Sequence, residues 1–450
     1  MTTERNWLIT GGRLIDPAQK IDGPADLLII DGKVAKVGKS AEWKSSIPAD
    51  CQRIDAAGCW LAPGFIDLHT HLREPGYEYK ETIESGGRAA AAGGFTTICC
   101  MPNTNPINDN RSVTELIIKQ ARQAGAVQVL PVGAITKGSR GEELAEIGEL
   151  LEAGCVAVSD DGRPVMNSQL MRRAMEYAKG FGGLVIDHCE DLNLSAGGCM
   201  HEGAVSLQLG LHGIPAASEE AMVARDLALV ALTGCRFHVA HVSSAGSVRM
   251  VREAKAQGLP VTAETCPHYL ALTDEAVLGY RTHAKMNPPL RGRGDQEALI
   301  EALADGAIDA IATDHAPHAA QEKEQEFDRA PFGIIGLETA FSVCYDLVRR
   351  SLLTPARLIE ALTASPAAVI RSSFGTLPAG AAADLVIIDP DEDWVADARR
   401  FQSKSRNSPF EGWTLHGRVL LTMAEGRIVH GEADLGRQPA AAGGGKAKRS

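Results

Sequence analysis

No apolar run in the 450 residues approaches the ~20 needed for a membrane-spanning helix. There is no Cys-x-x-Cys pair among the ten cysteines, which argues against the common structural zinc modules. An excess of basic charge is also missing: 45 Lys and Arg stand against 57 Asp and Glu, for a net charge of -12. That balance argues against general affinity for nucleic acid or anionic membrane, while leaving room for a local basic pocket that binds a small anion. Residues 1–9 hold no long apolar stretch and do not read as a signal peptide. Several cysteines (Cys99, Cys100, Cys155, Cys235) sit inside apolar runs as buried thiols would, so a cytoplasmic location is expected. What is present is ample core material, 44% hydrophobic and 23% charged, in a chain long enough for a large barrel with a smaller module.

The texture of the chain changes twice. The first sixty residues are short β-like runs broken by turns, with Asp31-Gly32 marking a hairpin. Similar runs return at Asp384–Asp389 and Leu420–Arg427. Residues 1–62 and 375–432 are therefore expected to form one small β-sandwich domain from both termini. Between them, over 63–374, short apolar strands alternate with helical stretches. The predicted strands are 64–71, 96–101, 127–134, 155–160, 183–188, 235–242, 260–265 and 307–313, the rhythm of an α/β (β/α)8 TIM-like barrel. Residues 433–450 are Ala/Gly/Lys-rich and read as a disordered tail.

In such a barrel, chemistry sits at the C-terminal ends of the strands. Strand one ends in His69-Thr70-His71-Leu72-Arg73, and period two puts His69, His71 and Arg73 on one face. Other predicted strand ends carry Asn103, Asp160-Asp161, His188, His241 and Asp314-His315. Four histidines with one or two carboxylates exceed what one tetrahedral ion needs and suit a pair of zinc ions sharing a bridging carboxylate. Period two allows only one of Asp160 and Asp161 to face inward. By the same logic His238, three before His241, faces the other side of its strand, while Asp67 lies deeper, in a hydrogen-bonding role. His268 and His315 are expected to be packing groups. The charged segment 317–332 reads as an exposed loop, and Lys137 as a solvated loop residue.

An ordered set of motifs makes this pattern specific. It comprises Pro63–Arg73, Met101-Pro102-Asn103-Thr104, Ser159-Asp160-Asp161-Gly162, Glu264–Leu270, Met286–Arg291, Thr313–His318 and Pro331–Thr339. With these the chain resembles the dihydroorotases of the amidohydrolase superfamily, of the bacterial class I type, from about Leu8 to Gly431. The resemblance implies that His69, His71 and Asp314 hold one metal and His188 and His241 a second, with Asp161 bridging, and zinc as the metal in both sites. It implies Asp314 as the catalytic proton carrier. His71, Arg73, Asn103, Asn287, His318, Phe332 and Gly333 are implied to bind substrate, with Arg73 on its carboxylate. The implied reaction is the reversible conversion of N-carbamoyl-L-aspartate to L-dihydroorotate plus water, in pyrimidine (UMP) biosynthesis. A homodimer and an association with aspartate transcarbamoylase are also implied. Hydantoinases and allantoinases usually bridge their metals with a carboxylated lysine, and residues 155–162 contain none. Two alternatives remain: a hydantoinase- or allantoinase-like cyclic-amide hydrolase, or a non-catalytic partner of aspartate transcarbamoylase.

Overall fold

The computed structural model describes residues 6–431 and 433–435. The expected disordered tail therefore lies outside the described residues from 436 onward. Eight parallel strands form one sheet: β1 Phe65–Thr70, β2 Phe95–Cys100, β3 Gln128–Gly133, β4 Ala157–Val158, β5 Leu184–Asp187, β6 Arg236–Val239, β7 Val261–Thr265 and β8 Ala310–Ile311. The main helices between and after them are α1 Ile83–Ala92, α2 Arg111–Ala124, α3 Ile147–Ala153, α4 Ser168–Gly180, α5 Ala216–Thr233, α6 Ala245–Ala256, α7 Arg293–Asp305 and α8 Ala340–Arg349. The sheet curls until its edges meet: Thr70 bridges His315 in parallel, and His71 N donates to His315 O at 2.9 Å. This is the expected (β/α)8 barrel.

Parallel strands covered on both faces need apolar residues on both, which is why they read as near-continuous hydrophobic runs. Phe65, Phe95 and Phe237 face the helices, while Ile66, Leu68, Cys99, Val132, Ile186 and Ala310 fill the interior. That interior is packed shut, so a ligand can be received only at the rim. Local signals start and stop the helices: Asn110 accepts from Ser112 N and Val113 N to begin α2, and Gly125, at φ 63°, ends it.

Residues from both ends build a second unit. One sheet joins Trp7–Thr10, Asp26–Ile30, Lys33–Gly38 and Gln52–Asp55. The other joins Arg13–Asp16, Ile21–Pro24, Trp60–Pro63, Leu385–Val395, Thr414–Ala424 and Arg427–His430. They share a core containing Ile9, Leu27, Leu61, Leu385 and Leu421, which makes the unit a β-sandwich. Asp31 (φ 51°) and Gly32 (φ 76°) form the two-residue turn that the Asp-Gly pair predicted.

One excursion from this unit matters for the site. Between Val395 and Thr414 the chain returns to the barrel rim. There Asn407 Nδ2 donates to Ala316 O (3.0 Å) and Gly333 O (3.1 Å), and its Oδ1 accepts from His318 N (3.2 Å).

Candidate metal centre and substrate pocket

The polar residues at the strand ends converge. His69 Nε2 lies 3.2 Å from Asp161 Oδ1 and 3.8 Å from Asp314 Oδ1. His71 Nε2 lies 3.0 Å from Asp314 Oδ1 and 3.5 Å from Asp161 Oδ2. On the other side, His188 Nδ1 and His241 Nε2 stand 2.9 Å apart, at 3.8 and 3.5 Å from Asp161 Oδ1. Asp161 is therefore central, within reach of all four imidazoles. Donor atoms ~2.0–2.1 Å from one tetrahedral zinc ion stand about 3.3–3.4 Å from each other, close to these spacings. His69 Nε2 and Asp161 Oδ1 are buried and hold no hydrogen bond among the described residues, as ligand atoms aimed at a cation would be.

Charge points the same way. Burial pushes the Asp161 and Asp314 carboxyls up, but the surrounding imidazoles outweigh it and hold both well below the usual carboxylate range. Burial lowers His69, yet Asp161, Glu264 and Asp314 carry it well above its ordinary value. His188 reaches about 9, burial being outweighed by Glu190 and Asp161. A buried site whose Asp161 and Asp314 stay ionised and whose His69 and His188 are driven to take up protons demands positive charge. Divalent cations supply it by displacing those protons.

Period two stops describing the site where the strands stop. β1 ends at Thr70 and β6 at Val239, so Arg73 and His241 lie beyond their strands. Their φ values, 64° and 33°, are left-handed, as is that of Asp314 at 47°. Such backbone costs of order 1–3 kcal/mol per residue and gathers at functional sites. Here it aims three side chains that strand alternation does not. His241 thus reaches the centre although His238 also points into the barrel, correcting the expectation that the two face opposite ways. Asp160 instead holds a loop, accepting from Ile135 N (2.8 Å), Thr136 N (3.1 Å) and the Thr136 hydroxyl. Asp67 is a buried acceptor for His69 N and Thr313 N, at 3.0 and 3.1 Å. Lys137 pairs with Glu143 at 2.6 Å on the surface, away from the centre.

Sequence reasoning assigned no role to the carboxylates behind the histidines. His69 Nδ1 meets Glu264 Oε1 at 3.1 Å. Glu264 Oε2 lies 3.1 Å from His238 Nε2, and His238 Nδ1 is 2.7 Å from Thr262 Oγ1. His188 Nε2 meets Glu190 Oε2 at 2.9 Å, and Asn287 Nδ2 donates to that same oxygen at 2.9 Å. A usable signal existed for Glu264: it alternates with the helix-facing Val261 and Ala263 and so had to point inward. Such partners fix the ring and raise its basicity, and losing one typically costs ~10–100-fold in metal affinity. Glu264→Gln is expected to weaken metal retention by about that factor, measured by chelator competition and metal analysis.

Of the expected substrate residues, Asn103 lies beside His71 and Asn287 beside His188, on opposite sides of the centre. Arg73 is half-buried, its Nε donating to Pro317 O at 3.2 Å. Burial lowers its pKa while Asp314 and Asp161 raise it. Asn103 Oδ1 lies 2.9 Å from His71 Nδ1, which fixes that ring. His318 Nε2 donates to Phe332 O at 2.7 Å. Gly333 sits at φ 123°, where a Cβ would stand 2.7 Å from Ala316 Cβ, so only glycine fits. Its N–H donates to Lys285 O at 3.0 Å and its carbonyl accepts from Lys323 Nζ at 3.0 Å. The segment 317–332 is thus not simply an exposed loop. Lys323 is 1% exposed and ties it to the carbonyls of Pro331, Gly333 and Lys285.

Fold and donor set together define the metal-dependent amidohydrolase class. A family model described as dihydro-orotase-like matches residues 58–247. The chain is 58% identical over 431 residues to a dihydroorotase of Anaeromyxobacter dehalogenans (strain 2CP-C), covering 95% of this chain and 99% of that one. It is 55% identical over 425 residues to a dihydroorotase of Syntrophus aciditrophicus (strain SB), covering 94% and 99%. The chain belongs to the dihydroorotase family. Among solved structures, the L-hydantoinase (dihydropyrimidinase) from Arthrobacter aurescens superposes with a TM-score of 0.85 at 28% identity, covering 95% of this chain and 96% of that one.

Proposed function

We propose that this protein is a dihydroorotase, interconverting N-carbamoyl-L-aspartate and L-dihydroorotate plus water in de novo pyrimidine biosynthesis. The observation that carries this reading is Asp161, an unmodified carboxylate central to four imidazoles with a guanidinium at the same rim. His69, His71 and Asp314 would hold one zinc ion and His188 and His241 a second, with Asp161 shared. Two zinc ions bound there supply Lewis acidity and a water-derived nucleophile near neutral pH.

The chain's own groups do the rest. Asp314 turns Oδ1 to His71, leaving Oδ2 to take the proton lost by the attacking water. In the hydrolytic direction, water oxygen bonds to the ring carbonyl carbon, the carbon–nitrogen bond breaks, and that proton goes to the departing nitrogen. Ring closure runs the same transfer backwards, starting from protonated Asp314. The Arg73 guanidinium holds the substrate carboxylate, which takes no part in the chemistry. Asn103 and His318 support that pocket, the former through His71. Asn287, beside His188 and Glu190, and the Phe332-Gly333 backbone border the ring's amide and carbonyl groups.

No helix among the described residues is long and apolar enough to cross a membrane. No disulfide joins the cysteines of the described residues, which supports a reducing, cytoplasmic setting. A homodimer and an association with aspartate transcarbamoylase carry over from the family resemblance.

The likeness to an L-hydantoinase favours one second reading, a hydantoinase-type hydrolase. Assays of the zinc-loaded protein on dihydroorotate, hydantoin and allantoin separate the two. Turnover of dihydroorotate is expected; turnover of hydantoin without dihydroorotate overturns the assignment.

A further inference from the structure

Beside the carboxylate pocket lies a pair of charges that the reaction does not use. Lys80, on the loop after β1, places Nζ 2.9 Å from Glu322 Oε1 and 3.4 Å from His318 Nδ1. Glu322 belongs to the short helix Ala320–Lys323 after β8, where its Oε2 accepts from Ala319 N at 3.0 Å. The Lys80 side chain is 14% exposed and that of Glu322 23%. Tyr77 and Tyr79 hold their rings 5.7 and 5.6 Å from the ammonium. The Lys80 carbonyl accepts from Ser405 Oγ at 2.8 Å, which fixes its backbone.

These contacts decide where His318 carries its proton. The Phe332 carbonyl only accepts, so Nε2 bears hydrogen. The Lys80 ammonium only donates, so Nδ1 is bare. Glu322 Oε2, 3.6 Å from Nδ1, favours the opposite arrangement, because a carboxylate draws a proton onto the ring. Lys80 stands between them and neutralises Glu322, while Arg73 and Lys323 add positive charge around the ring. Without Lys80, Nδ1 faces a carboxylate that keeps its hydrogen bonds from Tyr79 Oη (3.3 Å) and Ala319 N (3.0 Å) but has lost its counter-charge. The ring then charges or changes tautomer, and in the second case the bond to Phe332 is lost.

We infer that Lys80, paired with Glu322, is a positioning residue for substrate specificity: it holds His318 in its Nε2–H tautomer and joins the loops after β1 and β8 around the carboxylate pocket. Its consequence for substrate rests on the dihydroorotase reading. The pair itself does not.

The test uses the full chain loaded with zinc, with two readouts. Hydrogen exchange measured by mass spectrometry reports on the loops directly. Lys80→Met is expected to speed exchange across 316–335 by about tenfold and to leave the barrel strands unchanged. Turnover of dihydroorotate reports the consequence: KM rises about tenfold with kcat within about twofold. Lys80→Arg restores both readouts. Lys80→Met/Glu322→Gln matches Lys80→Met in exchange, since the two residues join the loops as one pair, but recovers part of the KM, since no carboxylate then faces Nδ1. Unchanged exchange across 316–335, or additive effects in the double variant, overturns the inference. Wild-type protein that fails to turn over dihydroorotate defeats the functional reading instead, and the exchange data still decide the pairing.

Discussion

Asp314→Asn is expected to retain substrate binding and lose nearly all turnover. General acid–base catalysis typically contributes ~10²–10⁴-fold, and kcat should fall by at least that with KM changed little. The variant keeps the size of the side chain and an oxygen that can face His71, but an amide cannot take a proton from water and return it to nitrogen. The imidazoles around Asp314 hold its carboxyl ionised despite burial, so the wild-type residue has an oxygen bare of hydrogen throughout the neutral range. The measurement must pair steady-state kinetics with metal analysis, because Asp314 also belongs to a donor cluster with His69 and His71. Full metal content with kcat near wild type would move the proton carrier elsewhere.

Arg73→Met is expected to weaken binding of the carboxylated substrate by roughly 2–4 kcal/mol, through loss of a desolvated charge pair. At 1.4 kcal/mol per tenfold, kcat/KM falls about 30- to 700-fold. The loss should appear mainly in KM, since the carboxylate is held equally before and during reaction. Arg73→Lys should rescue only part of it: an ammonium cannot form the bidentate pair, nor is Nε then present to donate to Pro317 O. Equal losses for dihydroorotate and for a ring analogue without the carboxylate would show that Arg73 supports the rim rather than the substrate.

The barrel was legible because its strands are buried on both faces and announce themselves as apolar runs between helical stretches. All eight appear within a few residues of their predicted places, though β4 and β8 keep only two residues in ladder geometry. The strand ends stood out because polar residues closing apolar runs need partners. Alternation then failed where strands stop: His241 and Arg73 owe their directions to left-handed backbone that period two does not describe. Glu190 and Glu264 sat in view without a role, since one chain does not say which imidazole a carboxylate will face. Asn407 was beyond reach altogether, lying 74 residues from Gly333, whose carbonyl it binds.

By itself the sequence determined the class of fold, the donor types and their order along the chain, because hydrophobic period and the chemistry of His, Asp and Arg are local properties. Only the tertiary structure decided which donors share a centre, that Asp161 rather than Asp160 occupies it, and which nitrogen of each ring is turned inward. Those outcomes depend on how the barrel closes and on partners distant in the chain, where a few ångströms decide which groups meet.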